Sequence, residues 1–116
     1  MKNLILQSPF YVSISDLYTM SDFALMSIIR IPSSVPFDSN IFLVTGARPI
    51  LVDTGSGLDS TAVIARIRSF SNVDPVAIVL THCHYDHIGG LKDMIQAFGC
   101  PAYSGIRDSP YIRRGD

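Results

Sequence analysis

All three histidines of this chain fall in one short segment, Thr81-His82-Cys83-His84-Tyr85-Asp86-His87-Ile88-Gly89-Gly90. In extended chain, His82, His84 and Asp86 project to one side at a period of two. His87 breaks that parity, so a bend must deliver it. Gly89 and Gly90 permit the bend and let a following helix pack closely. Three imidazoles and one carboxylate then converge on a small volume. Such donors suit zinc, and also iron or manganese. Without a metal, three clustered histidines would repel one another once protonated. The blander alternative, a polar loop that happens to be rich in His, fits a lone His better than this cluster.

The flanking elements must hold the segment in place. Ahead of it, residues 75–80 include the apolar run Val76-Ala77-Ile78-Val79-Leu80, which suits a strand buried on both faces. Behind it, Leu91, Met94, Ile95 and Phe98 repeat at helical spacing, with Gly99 placed to stop the helix. The motif therefore sits where a strand delivers its carboxyl end, the usual place for ligands in folds of sheet and helix. Upstream, Val63, Ile64, Ile67 and Phe70 predict another helix, with Arg66 and Arg68 turned outward and Asp59 or Ser60 as its cap. Residues 41–44 and 50–52 read as a hairpin whose turn, 45–49, uses Gly46. Residues 4–7, 10–15 and 23–31 read as strands, 32–40 as a loop, 101–103 as a short strand, and 104–116 as turn-like or weakly helical. Several β segments followed by β-α-β-α-β predict an α/β fold of packed layers.

Composition excludes much else. At 116 residues the chain is one domain or less. Apolar residues at 47% and charged residues at 16% argue against disorder. All ten acids are Asp, so any carboxylate chemistry must use Asp. A net charge of -1 with scattered basic residues is no nucleic-acid footprint. Cys83 and Cys100 do not make a disulfide framework, and fit a reducing compartment or simple burial. The run 4–6 is too short for a signal-peptide apolar region and the interrupted run 23–31 falls short of the roughly 20 residues of a membrane span, so a cytoplasmic location is expected. Gly55-Ser56-Gly57 lacks the Lys and spacing of a phosphate loop and reads as a turn. Cys83, lying between two candidate ligands, points away from them in extended chain and reads as a small buried residue. Tyr85 could equally line a substrate entrance or pack. The terminal Arg114-Gly115-Asp116 tripeptide reads as chance.

The segment Thr81 to Gly90 resembles the T-H-x-H-x-D-H-x-G-G signature of the metallo-β-lactamase-fold hydrolases. Ile50-Leu51-Val52-Asp53-Thr54-Gly55 resembles the strand-end L-I-D-T-G segment of the same superfamily. The likeness spans roughly residues 40–103, and the histidine signature is its specific part. It implies an αβ/βα sandwich with a mixed β-sheet covered by helices, of which this chain, 1–116, would supply the N-terminal half as one incomplete domain. By position, His82 and His84 resemble ligands of a first metal, and Asp86 and His87 ligands of a second. Asp86 would also help orient the nucleophile. Asp53 resembles a supporting acid below the metal loop, although an Asp before Gly55 also suits a plain turn or a helix cap. Thr81 would brace the loop, and Gly55, Gly89 and Gly90 would be structural.

The resemblance also implies an activity. A binuclear zinc centre, with iron or manganese as alternatives, would supply hydroxide to attack an ester, thioester, lactone, lactam or phosphoester bond of a small-molecule substrate. The Asp86-His87 pair looks like the hydrolytic branch, glyoxalase II-like thioesterases included. An iron-dependent oxidoreductase of the same fold is one alternative. The superfamily adds a later His, Asp and His, whereas this chain has no His after His87. The isolated chain is thus expected to be inactive. A second alternative is a non-catalytic metal-binding or interaction fragment, able to form a homo-oligomer through its uncovered half-fold surface. No nucleic-acid or membrane partner is expected.

Overall fold

A computed structural model describes residues 4–5, 26–33, 35–36 and 38–114. The expected strand at 10–15, and the start of the one at 23–31, lie outside the described residues. The described strands are β1 (Leu4–Ile5), β2 (Ile28–Ile31), β3 (Ile41–Val44), β4 (Ile50–Val52), β5 (Ala77–Leu80) and β6 (Ala102–Ser104). The helices are α1 (Ser60–Phe70), α2 (Tyr85–Ile88), α3 (Leu91–Phe98) and α4 (Ser109–Arg114).

The strands form one mixed sheet in the order β1-β6-β5-β4-β3-β2. β2, β3 and β4 are antiparallel, and β4, β5, β6 and β1 run parallel. The parallel half follows from its connections, since parallel neighbours need a crossover and α1 and α3 provide them. The β3–β4 hairpin forms where the spacing of the two runs and their turn put it, with Gly46 at φ +140°.

Strand alternation sorts side chains onto two faces. Leu43, Leu51, Ile78 and Ala102 share one row of the sheet. On that face they are buried with Val63 and Ile67 of α1, Leu91 and Met94 of α3, and Ile112 of α4. Full burial of each Leu or Ile contributes roughly 2 kcal/mol. The opposite face carries a second, smaller cluster of Val44, Ile50 and Ala77, with Val52, Val79 and Tyr103 packed against it. β5 therefore contributes to both clusters, as its continuous apolar run requires.

The helices end for local reasons. Gly99 stops α3 in the left-handed region at φ +62°, donating its N–H to the Ile95 carbonyl at 2.8 Å. Arg68, near the end of α1, pairs with Asp74 at 3.1 Å, donates to the Ala97 carbonyl and lies over the Phe98 ring. Those contacts tie α1 to α3. Asp59 occupies the N-cap of α1, but its carboxylate makes no capping bond and instead meets Arg66 at 3.3 Å. Among the described residues, no helix is long and apolar enough to cross a membrane.

Both cysteines are free. Burial against the core pushes the Cys100 thiol up to about 11. An unfolded thiol ionises near ~8.5, so folding stability should be intact below that range and decline as pH rises through it towards the folded value. In mildly alkaline solution, Cys100 should resist alkylation in the native chain and react only after denaturant is added. Native labelling of Cys100 as fast as of Cys83, read by mass spectrometry of the labelled peptides, would contradict this burial.

Candidate metal centre

β4 and β5 are parallel neighbours with Val52 opposite Val79. Their carboxyl ends therefore leave the sheet side by side, with Asp53 after one and Thr81 just beyond the other. The Asp53 N–H extends the ladder by one bond, to the Val79 carbonyl at 2.9 Å. The backbone then turns sharply, with Asp53 at φ +64° as the only non-glycine in the left-handed region among the described residues. Such a conformation costs of order 1 kcal/mol and persists only where its surroundings enforce it.

What enforces it is the buried Asp53 carboxylate, 4% exposed. Its Oδ1 accepts the Thr81 N–H at 2.9 Å. The Thr81 hydroxyl donates to the same carboxylate, at 2.8 Å from Oδ2 and 3.1 Å from Oδ1. Oδ2 also accepts His87 Nδ1–H at 2.8 Å. A carboxylate this buried is tolerated only when its oxygens are satisfied, and here they are. Asp53 is a turn residue by backbone, but its side chain caps no described helix; it ties β5 and the histidine segment together.

Proton bookkeeping fixes two of the imidazoles. A carboxylate only accepts, so His87 donates from Nδ1. Thr81 has a single hydroxyl proton, already given to Asp53. Its contact with His82 Nδ1 at 2.9 Å therefore has His82 donating from Nδ1. An imidazole whose Nδ1–H is held by an oxygen is oriented as metal-ligating histidines are.

The histidine segment departs from the extended course read from its spacing. The chain is extended only to His84, at φ −64° and ψ 143°, and then makes the single turn α2. Asp86 thus lies on a helical turn beside His87, not on an extended row with His82 and His84. The Asp86 carboxylate comes within 3.5 Å of His87 Nε2. The His82 ring centroid is 4.7 Å from that of His84 and 3.9 Å from that of His87. The four candidate ligands are neighbours, yet the rings rest on one another and do not surround a common point. Among the described residues, no group of three or more His, Cys, Asp or Glu side chains is arranged to hold a metal. In chemistry the donors fit a zinc-type ion, with two imidazoles held at Nδ1, a third imidazole and an Asp beside them.

Gly89 and Gly90 serve a purpose other than bending. Both have negative φ, −59° and −88°. They are needed because the turn at 54–57 runs against them. A Cβ on Gly89 would sit 2.0 Å from the Ser56 carbonyl oxygen, and one on Gly90 would sit 2.4 Å from that of Thr54. Gly55, at φ +75°, does need its conformational freedom. Thr54, unremarked in the sequence, binds the His87 carbonyl through both its N–H and its hydroxyl, each at 2.9 Å. Asp38 and Ser39, which read as loop residues, join the same region: Asp38 accepts the Ser56 N–H at 2.8 Å, and Ser39 bonds the Asp86 carbonyl. A Ser- and Pro-rich stretch gives no sign of such long-range bonds. Cys83 is half-buried and packs against the core. A hydrogen bond to the Asp108 side chain is the main influence raising its pKa, which favours the thiol over the thiolate a metal would take. Tyr85 is exposed.

A family model described as the metallo-beta-lactamase superfamily matches residues 34–116. The hydroxyacylglutathione hydrolase of Nitrosomonas eutropha is 39% identical over 67 residues, covering 57% of this chain and 25% of its own length. That of Bdellovibrio bacteriovorus is 37% identical over 84 residues, covering 69% of this chain and 32% of its own. The chain thus spans between a quarter and a third of these two curated relatives. A solved HARLDQ motif mutant of a metallo-beta-lactamase from Cronobacter sakazakii superposes with a TM-score of 0.67 at 20% identity, over 76% of this chain and 35% of that one. This last likeness shows the shared fold.

The close approach at Gly89 can be tested by substitution. Gly89→Ala should destabilise the chain by about 3 kcal/mol through backbone overpacking. Gly105→Ala, whose Cβ would meet nothing nearer than 3.7 Å, should cost well under ~1 kcal/mol. Urea unfolding of both variants provides the comparison, and equal midpoints would show that the 54–57 turn does not press on Gly89.

Proposed function

The chain belongs to the metallo-β-lactamase superfamily, and on that footing we propose that it carries part of the active site of a metal-dependent hydrolase. The observation that supports this most is the pair of imidazoles held at Nδ1, His82 on Thr81 and His87 on Asp53. His82 and His84 would hold one ion, and Asp86 and His87 a second. Zinc fits these donors best, with iron or manganese as alternatives. When bound, the metal supplies Lewis acidity and a nucleophile drawn from water at neutral pH.

This chain's own residues do the positioning. Asp53 and Thr81 fix two ring orientations and raise the basicity of the ligating nitrogens. Asp86, on the exposed side of α2 with its side chain 46% accessible, is the acid placed to orient an attacking group as well as to ligate. Gly55, Gly89 and Gly90 let the 54–57 turn and the histidine segment lie in contact. The two relatives above are named hydroxyacylglutathione hydrolases, so a hydroxyacylglutathione, an acyl thioester, is the first substrate to try. Lactones, lactams and phosphoesters are the other classes open to the same chemistry.

The chain by itself carries four of these donors, two for each ion. We therefore expect it to hold metal loosely and to turn substrate over poorly, since affinity follows ligand number and orientation. That is the behaviour of a binding-only module, and the two readings separate on turnover.

Calorimetric zinc titration alongside a thioester hydrolysis assay tests this. Weak zinc binding that disappears in His84→Ala is expected. An unchanged isotherm in His84→Ala would sink the proposed site. Two zinc ions held tightly through purification would contradict the expected looseness, and zinc-dependent turnover by the chain would reject the binding-only reading.

A further inference from the structure

A helix of one turn cannot satisfy its own last carbonyls, so α2 must find donors elsewhere. The Gly90 N–H, which would continue the helix to the Asp86 carbonyl, is given to the Gly55 carbonyl at 3.0 Å. The His87 carbonyl is taken by Thr54. The Asp86 carbonyl accepts a hydrogen bond from the Ser39 hydroxyl, which comes from the loop between β2 and β3.

Ser39 is itself held. Its N–H donates to Asp38 Oδ1 at 2.9 Å. The same oxygen accepts the Ser56 N–H at 2.8 Å, while Oδ2 accepts the Ser56 hydroxyl at 3.0 Å and the Ser33 hydroxyl at 3.2 Å. These bonds join the β2–β3 loop to the turn at 54–57. Gly55 lies directly against the carboxylate, since a Cβ there would be 3.5 Å from both oxygens. With both oxygens engaged by the chain, Asp38 is a structural acceptor and not a spare metal donor.

We propose that Asp38 and Ser39 form a positioning pair for Asp86. Ser39 fixes the Asp86 backbone through its carbonyl, and Asp38 fixes Ser39 against the turn that also supports Gly89 and Gly90. The proposal rests on reading Asp86 as a metal ligand. The pair complements Asp53: Asp53 orients the His87 ring, and Ser39 sets where the Asp86 side chain starts. Neither Asp38 nor Ser39 touches a reacting atom. Loss of the Ser39 hydroxyl would leave the Asp86 carbonyl short of a donor and widen the range of positions from which its carboxylate must reach the ion.

Cobalt(II) is the probe, added to the full chain and followed by visible absorption and calorimetry. Ser39→Ala should weaken cobalt binding about tenfold, the size of effect common for partners of metal ligands. Ser39→Thr keeps the hydroxyl and should bind as the native chain does. In an Asp86→Ala background, Ser39→Ala should add nothing, because the two act through one group. Metal-free chain gives an independent readout. Amide hydrogen exchange in Ser39→Ala should quicken at residues 87–90, while the Thr81 N–H held by Asp53 keeps its native rate. Should Ser39→Ala lose its far-UV circular dichroism, Asp38→Asn carries the same cobalt and exchange measurements with the same expected direction. Native cobalt affinity in Ser39→Ala, with affinity reduced in Asp86→Ala, overturns the positioning role and leaves Asp86 as a ligand. Cobalt binding indifferent to Asp86→Ala overturns the ligand reading and the positioning role with it. A loss in Ser39→Thr equal to that in Ser39→Ala also overturns it, since the hydroxyl would not be the agent.

Discussion

The candidate site hangs on one buried carboxylate. Asp53 sits at the end of β4 in a left-handed backbone conformation that few residues accept. Its two oxygens collect the Thr81 N–H, the Thr81 hydroxyl and His87 Nδ1–H. Remove those donors and a charge is stranded in a nearly dry position, at a cost of several kcal/mol. Remove the carboxylate and β5, the histidine segment and α2 lose their common anchor. The parallel pairing of β4 with β5 makes the arrangement possible, because it brings both carboxyl ends out together. The core beneath, with α1, α3 and α4 on one face of the sheet, makes that pairing rigid.

The protonation pattern is a consequence of the same anchor. Once the Thr81 hydroxyl donates to Asp53, Thr81 can only accept from His82. One carboxylate thus holds the Nδ1 of two imidazoles, His87 directly and His82 through Thr81. A second acid, Asp38, works on main chain. It draws the β2–β3 loop to the 54–57 turn, and its neighbour Ser39 reaches the Asp86 carbonyl. Two Asp residues from different loops therefore hold the histidine segment, and no Glu is available to share the work.

Much of this was legible in the sequence, for physical reasons that can be named. The β3–β4 hairpin, α1, β5, α3 and the stop at Gly99 follow from hydrophobic period and turn chemistry, which are local. The histidines and Asp86 stand out by residue type, and Asp53 by its place at a strand end. What escaped was set by tertiary contact. The spacing His82, His84, Asp86 suggested an extended row, yet the chain turns helical at Tyr85, where residues 54–57 supply the bonding partners that a single turn lacks. Gly89 and Gly90 read as permitting both a bend and close packing; their φ values are ordinary, and the closeness is to the Ser56 and Thr54 carbonyls. Asp38 and Ser39 were invisible, because a loop Asp-Ser pair looks the same whether it bonds locally or reaches a residue 47 positions away.

The dependence on Asp53 can be measured without any metal. Long-range proton–nitrogen NMR correlations of the His87 ring report whether Nδ1 carries a proton. Full protonation at Nδ1 is predicted, becoming partial in Asp53→Ala. A His87 ring with a bare Nδ1 in the native chain would contradict the claim that Asp53 sets the geometry of the site.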